Sequence, residues 1–384
     1  MKTAMVGGRV ETKQDPNPMR PISLLKQFVT ALLLFAVFNP QTLAAPAFAR
    51  AHSPLDTEWS QAIERAIARV INPDDYVCGP TLFDDWIGQK FAAIGDFDAF
   101  FDIFVNFGAS FWVFEYTLRF DQNATDEYLG IDGRKTQELK KRYRDCQSFW
   151  DVPTQDVLLQ GAHGAILADD SKMVPLVQAL FGVPAADAQW IVDYVQSVIE
   201  TVPGIGFDNP LFTLNAFAFS ARGEPPGSPY LGLPDKIVMG DGIMQAYADM
   251  GLDANASDMI FGHEFGHHVQ YELGTLDNYP FTPENTRRVE LMADAFGAYF
   301  SAHSRGASFQ TQRIVDVYRG SYIIGDCAFD NPGHHGTPNQ REAAARWGAG
   351  LAQSAQKQGK ILPSAAVRIL FDAQLPIIVA PDAP

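Results

Sequence analysis

The stretch FGHEFGHHVQ, residues 261–270, places three histidines together in a chain of 384 residues that has eight in all. Its centre, HEFGH, has the pattern H-E-x-x-H. On a helix, His263 and His267 lie four residues apart and project from one face, close enough to share a zinc ion. Glu264 points about 100° away from His263 and can take up a proton beside the metal without ligating it. The spacing therefore predicts a helix that carries a catalytic zinc site.

A solvated helix that happens to carry histidines is the alternative interpretation, since five-residue patterns also arise by chance. Phe261, Phe265 and Val269 recur every four residues and give the helix a buried flank. Gly266 would weaken a helix by about 1 kcal/mol relative to alanine unless another element approaches closely there. Both observations favour the metal site. His268 points away from the paired histidines and is expected at the surface or behind a ligand.

A catalytic zinc ion held by two histidines needs a third protein ligand. The metzincin pattern H-x-x-G-x-x-H is excluded, because Gln270 and Leu273 occupy its glycine and histidine positions. Two carboxylates remain: Asp277, ten residues after the motif, and Glu290 in RRVELMADAFGAYF, residues 287–300. Glu290 is favoured, because the apolar residues around it accept a carboxylate only when it is paired or binds a metal.

Asp294 lies one helical turn after Glu290 and is predicted to support the ligands from behind. Its carboxylate can accept the free N–H of a ligand histidine, most simply His263, and so fix the tautomer of that ring. A solvated pair of acidic residues is the alternative interpretation.

Capping signals predict the bounds of both helices. Ser257 can cap the motif helix, which would end before Gly274 in a left-handed conformation. Thr282 and Pro283 predict the cap and first residue of the second helix, which would run to about residue 302.

The first 49 residues are predicted to be a secretory signal peptide, with a basic stretch before the apolar run 28–38 and small residues up to Ala49. A start at Met19 would make residues 1–18 an upstream extension. The apolar run is shorter than the roughly 20 residues that span a membrane, so an uncleaved anchor is the less favoured alternative. We expect the protein in the periplasm or outside the cell.

The exported chain is predicted to divide near residue 203. Residues 50–203 are expected to be helical. Residues 204–384 are expected to contain both helices and strands. One strand is predicted in LFTLNAFAFSA (211–221), where large side chains alternate with small or polar ones, and another in the apolar run KIVMG (236–240). The predicted fold class is α+β and mostly helical.

A phenylalanine-rich region, residues 91–120, lies in the helical part. Asp98, Asp102 and Asn106 recur every four residues, as one polar face would, which favours a buried helix pair. An apolar groove or a surface that touches a membrane is the alternative, so membrane contact is possible but not favoured.

Charge and cysteines limit the partners and the compartment. The net charge of −16 argues against nucleic acid as a partner, because phosphate binding needs clustered basic residues. Cys78, Cys146 and Cys327 are too dispersed for a zinc ribbon or a redox pair. We predict one disulfide, between Cys78 and Cys146, and one free thiol.

HEFGHHVQ and RRVELMADAFGAYF, with IGD (324–326) and HHGTPNQR (334–341) further on, resemble the bacterial neutral zinc metallopeptidases of the gluzincin group. NAFA (215–218) is similar to the edge-strand signature of membrane-associated gluzincins. The resemblance covers residues 210–350. It implies a zincin-like domain whose small sheet packs on the motif helix. It also implies hydrolysis of peptide bonds with one Zn²⁺ per chain, held by His263, His267 and Glu290, with Glu264 as general base.

Further expectations follow for the substrate. His335 matches the H-G-T-x-x-Q-R segment of the family and can donate to a developing oxyanion, or else belongs to a solvated turn. Cys327 stands where the family has a second aspartate, which leaves no expected role for that position. Asn215, Ala216 and Phe217 are predicted to pair with an extended peptide or protein substrate.

Two other functions stay open: a catalytically silent zinc-binding assembly factor or holdase of the cell envelope, and a zinc hydrolase of a non-peptide amide.

Overall fold

The computed structural model describes residues 79–121, 128–277, 281–329 and 331–380. The predicted signal peptide and Cys78 lie outside these residues.

Helices dominate the described chain, as predicted, and a small sheet accompanies them. The helices are α1 (Leu82–Ala92), α2 (Phe97–Phe101), α3 (Ala109–Arg119), α4 (Thr136–Phe149), α5 (Asp170–Phe181), α6 (Ala185–Thr201), α7 (Asp241–Tyr247), α8 (Ala256–Glu272), α9 (Pro283–Ala302), α10 (Thr311–Ile323), α11 (Pro338–Lys357) and α12 (Ser364–Ile378). The strands are β1 (Leu158–Ala162), β2 (Ala216–Phe219) and β3 (Lys236–Gly240).

The sheet has the order β1-β3-β2, so β2 is an edge strand. β3 pairs in parallel with β1 and antiparallel with β2. β3 is buried along its whole length, whereas β2 is half-buried. Strands β2 and β3 fall where the sequence predicts them. β1 was not predicted, and it joins a segment before residue 203 to the sheet.

The phenylalanine-rich region is buried on one side, as predicted. Phe100, Ile103 and Trp112 are almost fully buried in an apolar core shared with α5 and α6. On the other side the Asp102 carboxylate accepts hydrogen bonds from Asn106 and from the hydroxyl of Tyr194. By length and composition alone the stretch Phe97–Arg119 could cross a membrane, but half of its most apolar window is buried inside the fold.

Helices α8 and α9 pack closely because small residues face each other across their contact. A Cβ atom on Gly266 would lie 3.0 Å from the carbonyl oxygen of Ala293, and one on Gly297 would lie 3.0 Å from the backbone of Gly262 and His263. The close approach expected at Gly266 is therefore present. It brings the motif histidines within reach of the carboxylates on α9.

The predicted bounds hold for α9 and need one correction for α8. Thr282 caps α9 by accepting from the amide of Asn285, and Gly274 after α8 is left-handed. Helix α8 begins one residue before Ser257, so the Ser257 cap was wrong. The hydroxyl is buried in the first turn, and the capping position is taken by Asn255.

The predicted disulfide between Cys78 and Cys146 is wrong. Cys146 carries a free thiol, and α4 directs it into the core, where it is completely buried. Cys327 is disulfide-bonded instead. The prediction relied on the position of both cysteines in the N-terminal half of the chain, and position along the chain does not determine which cysteines meet in the fold.

Candidate metal centre

The three predicted ligands converge on one point. Helix α8 supplies His263 and His267, and α9 supplies Glu290. The Nε2 atoms of the two histidines lie 3.1 Å apart. The Glu290 carboxylate lies 3.3 Å from Nε2 of His263 and 3.4 Å from Nε2 of His267. One potential ligand atom from each residue therefore falls within 4.8 Å of the others.

The hydrogen bonds behind the two rings explain why Nε2 faces inward. Nδ1 of His263 lies 2.9 Å from the Asp294 carboxylate, and Nδ1 of His267 lies 3.0 Å from the side-chain oxygen of Gln270. Because carboxylate and amide oxygens only accept, each Nδ1 must donate its proton. In a neutral imidazole this leaves a lone pair on Nε2, so two nitrogens and a carboxylate direct lone pairs at one another.

Such a cluster of acceptors attracts positive charge. Burial opposes a charge on His263, but its hydrogen bonds to Asp294 and Glu290 raise its pKa to about 10. Burial would likewise raise the pKa of Glu290, yet the charges of His267 and His335 hold it well below the ordinary value. The site therefore holds a carboxylate and takes up either protons or a cation.

The donor set fits zinc. Two ligand atoms at the usual Zn–N distance are roughly 3.3 Å apart when the coordination is tetrahedral, which agrees with the separations of 3.1 to 3.4 Å. Side chains of the three residues keep 13 to 15% exposure, so a fourth position can be reached from the adjoining cavity. Asp277 is exposed and does not belong to the group, whereas Glu290 does.

Asp294 lies behind His263, as predicted, and Arg341 holds it there. The guanidinium of Arg341, on α11, donates to both carboxylate oxygens at 2.8 and 3.0 Å. Both side chains are almost completely buried. Burial would raise the pKa of Asp294, but the charge of Arg341 lowers it, so the carboxylate stays ionised and can accept from the histidine.

Sequence reasoning missed Arg341 and Gln270 as supports of the ligands. In the sequence, Gln270 stands out only as a mismatch to the metzincin pattern. It is fully buried, and its amide nitrogen donates to the carbonyl of Val289 at 2.7 Å, which turns its oxygen toward His267. Its position three residues after His267, on the same helical face, was the signal that could have identified it.

Glu264 lies beside the three ligands and outside their group. It is 6% exposed and lines the cavity. Burial raises the pKa of its carboxyl above the ordinary value, and the neighbouring histidines partly offset this. A carboxylate with a raised pKa is suited to accept a proton and return it.

His335 lines the same cavity, and Asp326 positions it. The Asp326 carboxylate accepts from the backbone N–H of His335 at 2.8 Å and lies 3.4 Å from its Nδ1. It also bonds to Nδ1 of the buried His334 at 2.5 Å. The segment is thus an ordered turn with one histidine directed at the cavity, which leaves both predicted roles of His335 open.

The edge strand β2 borders the cavity. Asn215, Ala216 and Phe217 are all half-buried and contribute to its lining. The hydroxyl of Tyr271, on the motif helix, donates to the carbonyl of Ala218 at 3.3 Å. The predicted substrate-binding residues therefore line the same cavity as His263, His267 and Glu290.

His268 is buried, contrary to a surface position. Its Nε2 donates to the carbonyl of Pro153 at 2.9 Å, and its Nδ1 lies 3.4 Å from Asp235. Burial opposes its charge, but the contact with Asp235 raises its pKa. His268, Asp235 and Glu272 form a second group whose metal-ligating atoms lie within 4.8 Å of one another. In this group His268 and Asp235 already form an ion pair.

Comparisons with known proteins give no match: no family model, curated protein or solved structure aligns with the chain.

Proposed function

We propose that the protein is an exported zinc-dependent metallopeptidase with a zincin-like domain. The observation that supports this most strongly is the convergence of His263, His267 and Glu290, each with a lone pair directed at the same point. Structural zinc sites are closed by four protein ligands, whereas catalytic sites have three and an open position. Three ligands beside a cavity match the second kind.

The residues around the ligands have complementary tasks. Zinc, when bound, would act as a Lewis acid that polarises the scissile carbonyl and lowers the pKa of water to about 7. Glu264 takes up a proton from the attacking water and returns it to the leaving amine. His335 donates to the carbonyl oxygen as negative charge develops on it. The backbone of β2 pairs with the extended substrate and aligns the scissile bond.

Metal analysis of the purified chain, together with a peptidase assay on denatured casein, tests the proposal. We expect one zinc ion per chain and cleavage that a chelator abolishes. Glu290→Ala should lose both zinc and activity, because two histidines alone hold the ion weakly. Asp277→Ala is the control and should keep both. Zinc retained at full occupancy in Glu290→Ala would contradict the proposed ligand set.

A further inference from the structure

The cavity that contains the metal centre continues into the phenylalanine-rich region. Its volume is about 580 Å³. Part of its lining is polar and comes from α8 and α9, including Glu264. Another part is aromatic and comes from the segment that runs from the end of α1 through α3, with the rings of Phe91, Phe104, Phe111 and Phe114. Residues that the zinc motif does not include therefore share its cavity.

The aromatic rings border the cavity. Phe104 and Phe114 keep 8% and 5% exposure, whereas Phe261 and Phe265 in the core behind the motif helix have none. Apolar atoms that line a cavity have fewer protein atoms in contact with them than atoms in a packed core. An apolar cavity of roughly 150 Å³ holds a benzene ring, so this one has room for several large side chains.

Among the residues that the structure describes, those lining the aromatic part offer no unpaired charge to a ligand. Glu115 is the charged residue of α3 that lines it, and its side chain is almost fully buried. Its carboxylate already accepts from Arg119 at 2.9 Å and from the hydroxyl of Tyr230 at 3.1 Å. A charged side chain entering here would lose its hydration without gaining a free partner, which is costly.

The edge strand connects the two parts of the cavity. Ala216 and Ala218 pack against the core around the motif helix, whereas Phe217 packs against the aromatic core, with its ring 5.7 Å from that of Phe114. Side chains of an extended peptide paired with β2 also alternate between the two sides of the strand. A substrate residue on the Phe217 side would therefore enter the aromatic part.

We propose that this aromatic part is a subsite for a bulky apolar side chain of the substrate, so that the enzyme selects polypeptide segments with phenylalanine, leucine or similar residues near the scissile bond. The inference rests on the proposed peptidase function. In this proposal the phenylalanine-rich region determines which substrate side chains are preferred, whereas the zinc ligands act on the peptide bond itself.

Binding can be measured without cleavage. In Glu264→Gln protein loaded with zinc, calorimetry would compare capped peptides that differ at one position, with phenylalanine, leucine, alanine or aspartate. We expect phenylalanine to bind roughly tenfold or more tightly than alanine, the range that an apolar pocket provides for a few methylene groups, and aspartate to bind most weakly. Equal affinities across the series would overturn the subsite.

Matched variants locate the subsite. Phe111→Ala removes a half-buried ring that lines the cavity, and we expect it to reduce the preference for phenylalanine over alanine about fivefold. Phe107→Ala removes a half-buried ring of the same region that does not line the cavity, and it should keep the preference. Phe111→Trp narrows the cavity and should move the optimum toward leucine. If both Phe111 variants keep the wild-type order and ratio of peptide affinities, the aromatic part of the cavity is not the subsite.

The proposed function and the subsite fail in different ways. If the wild-type protein digests denatured casein but cleaves the peptide series at equal rates, the subsite is wrong and the peptidase stands. If no protein or peptide is cleaved and a fatty acyl amide is hydrolysed instead, both proposals are wrong and the cavity belongs to an amide hydrolase of lipids.

Discussion

The candidate metal centre and the phenylalanine-rich region line one cavity, yet different forces determine their geometry. In the candidate metal centre, directional hydrogen bonds fix each ring: Asp294 holds His263, and Gln270 holds His267. In the phenylalanine-rich region, rings such as Phe104 and Phe114 meet their neighbours by apolar contact, which has little directional preference. Catalysis requires reacting groups that are held in fixed positions by directional bonds. A pocket for apolar side chains does not require such fixed geometry and can accept side chains of several shapes.

This difference implies different responses to mutation. Removing one member of a buried polar network leaves its partner unsatisfied, which costs more than the bond itself contributes. Removing one ring beside an existing cavity enlarges a space that is already present. We therefore expect large, chemistry-specific effects at the metal centre and smaller, graded effects in the phenylalanine-rich region.

Under the proposed peptidase function, the largest expected effect is the loss of proton transfer in Glu264→Gln. The amide keeps the shape of the side chain but cannot accept a proton, so kcat should fall by about 10² to 10⁴. Zinc content should stay at one ion per chain, because Glu264 is not among the ligands. Steady-state kinetics and metal analysis on the same sample check both statements. A variant with near wild-type kcat would show that another group carries the proton.

A slightly smaller effect is expected when the support behind the ligands is removed. Arg341→Leu leaves the buried Asp294 carboxylate without its cation and should lower the free energy of unfolding by about 3 to 5 kcal/mol. Arg288→Leu is the matched control: it removes an equally bidentate pair with Asp372, but a more exposed one, and should cost about 1 kcal/mol or less. Urea unfolding of both variants measures how much burial adds to the cost of losing an ion pair. Equal losses in the free energy of unfolding would show that burial of the Arg341–Asp294 pair makes no difference.

The sequence predicted that His263, His267 and Glu290 come together, because these residues and their supports are close along two helices. Spacing on one helix brings His263 and His267 to one face, and Asp294 follows Glu290 by one turn. The close packing of the helices was indicated by Gly266. These are local rules of helical geometry, and they hold in the structure.

Contacts between distant segments could not be predicted in the same way. Arg341 lies 47 residues after Asp294 and meets it only through the packing of α9 against α11. Strand β1 is short, and its pairing with β3 joins segments nearly eighty residues apart. The arrangement of phenylalanines around a cavity has no periodic signature, because any apolar face satisfies the same pattern.

Substitution of single phenylalanines should sharpen the comparison further. Phe265→Ala empties a fully packed site behind the motif helix and should cost about 3 to 5 kcal/mol. Phe104→Ala extends a cavity that already exists, and fewer contacts are lost, so we expect a cost that is smaller by about 1 to 2 kcal/mol. Thermal and urea unfolding measure both costs. Equal costs would mean that the cavity wall is as tightly packed as the core.

The smallest expected effect is a pH dependence that comes from Asp326. Burial would raise its pKa, but its bonds to His334 and His335 lower it well below the ordinary value. A carboxyl whose pKa is lowered on folding stabilises the protein above its unfolded pKa of about 3.9, and this contribution is lost as the pH falls through the folded value. Relative to Asp326→Asn, the wild type should therefore be more stable by about 1 to 2 kcal/mol at pH 6, and the difference should shrink steadily below pH 4. Urea unfolding of both proteins between pH 6 and pH 3 measures it, and a difference that stays constant over this range would show that Asp326 acts by shape alone.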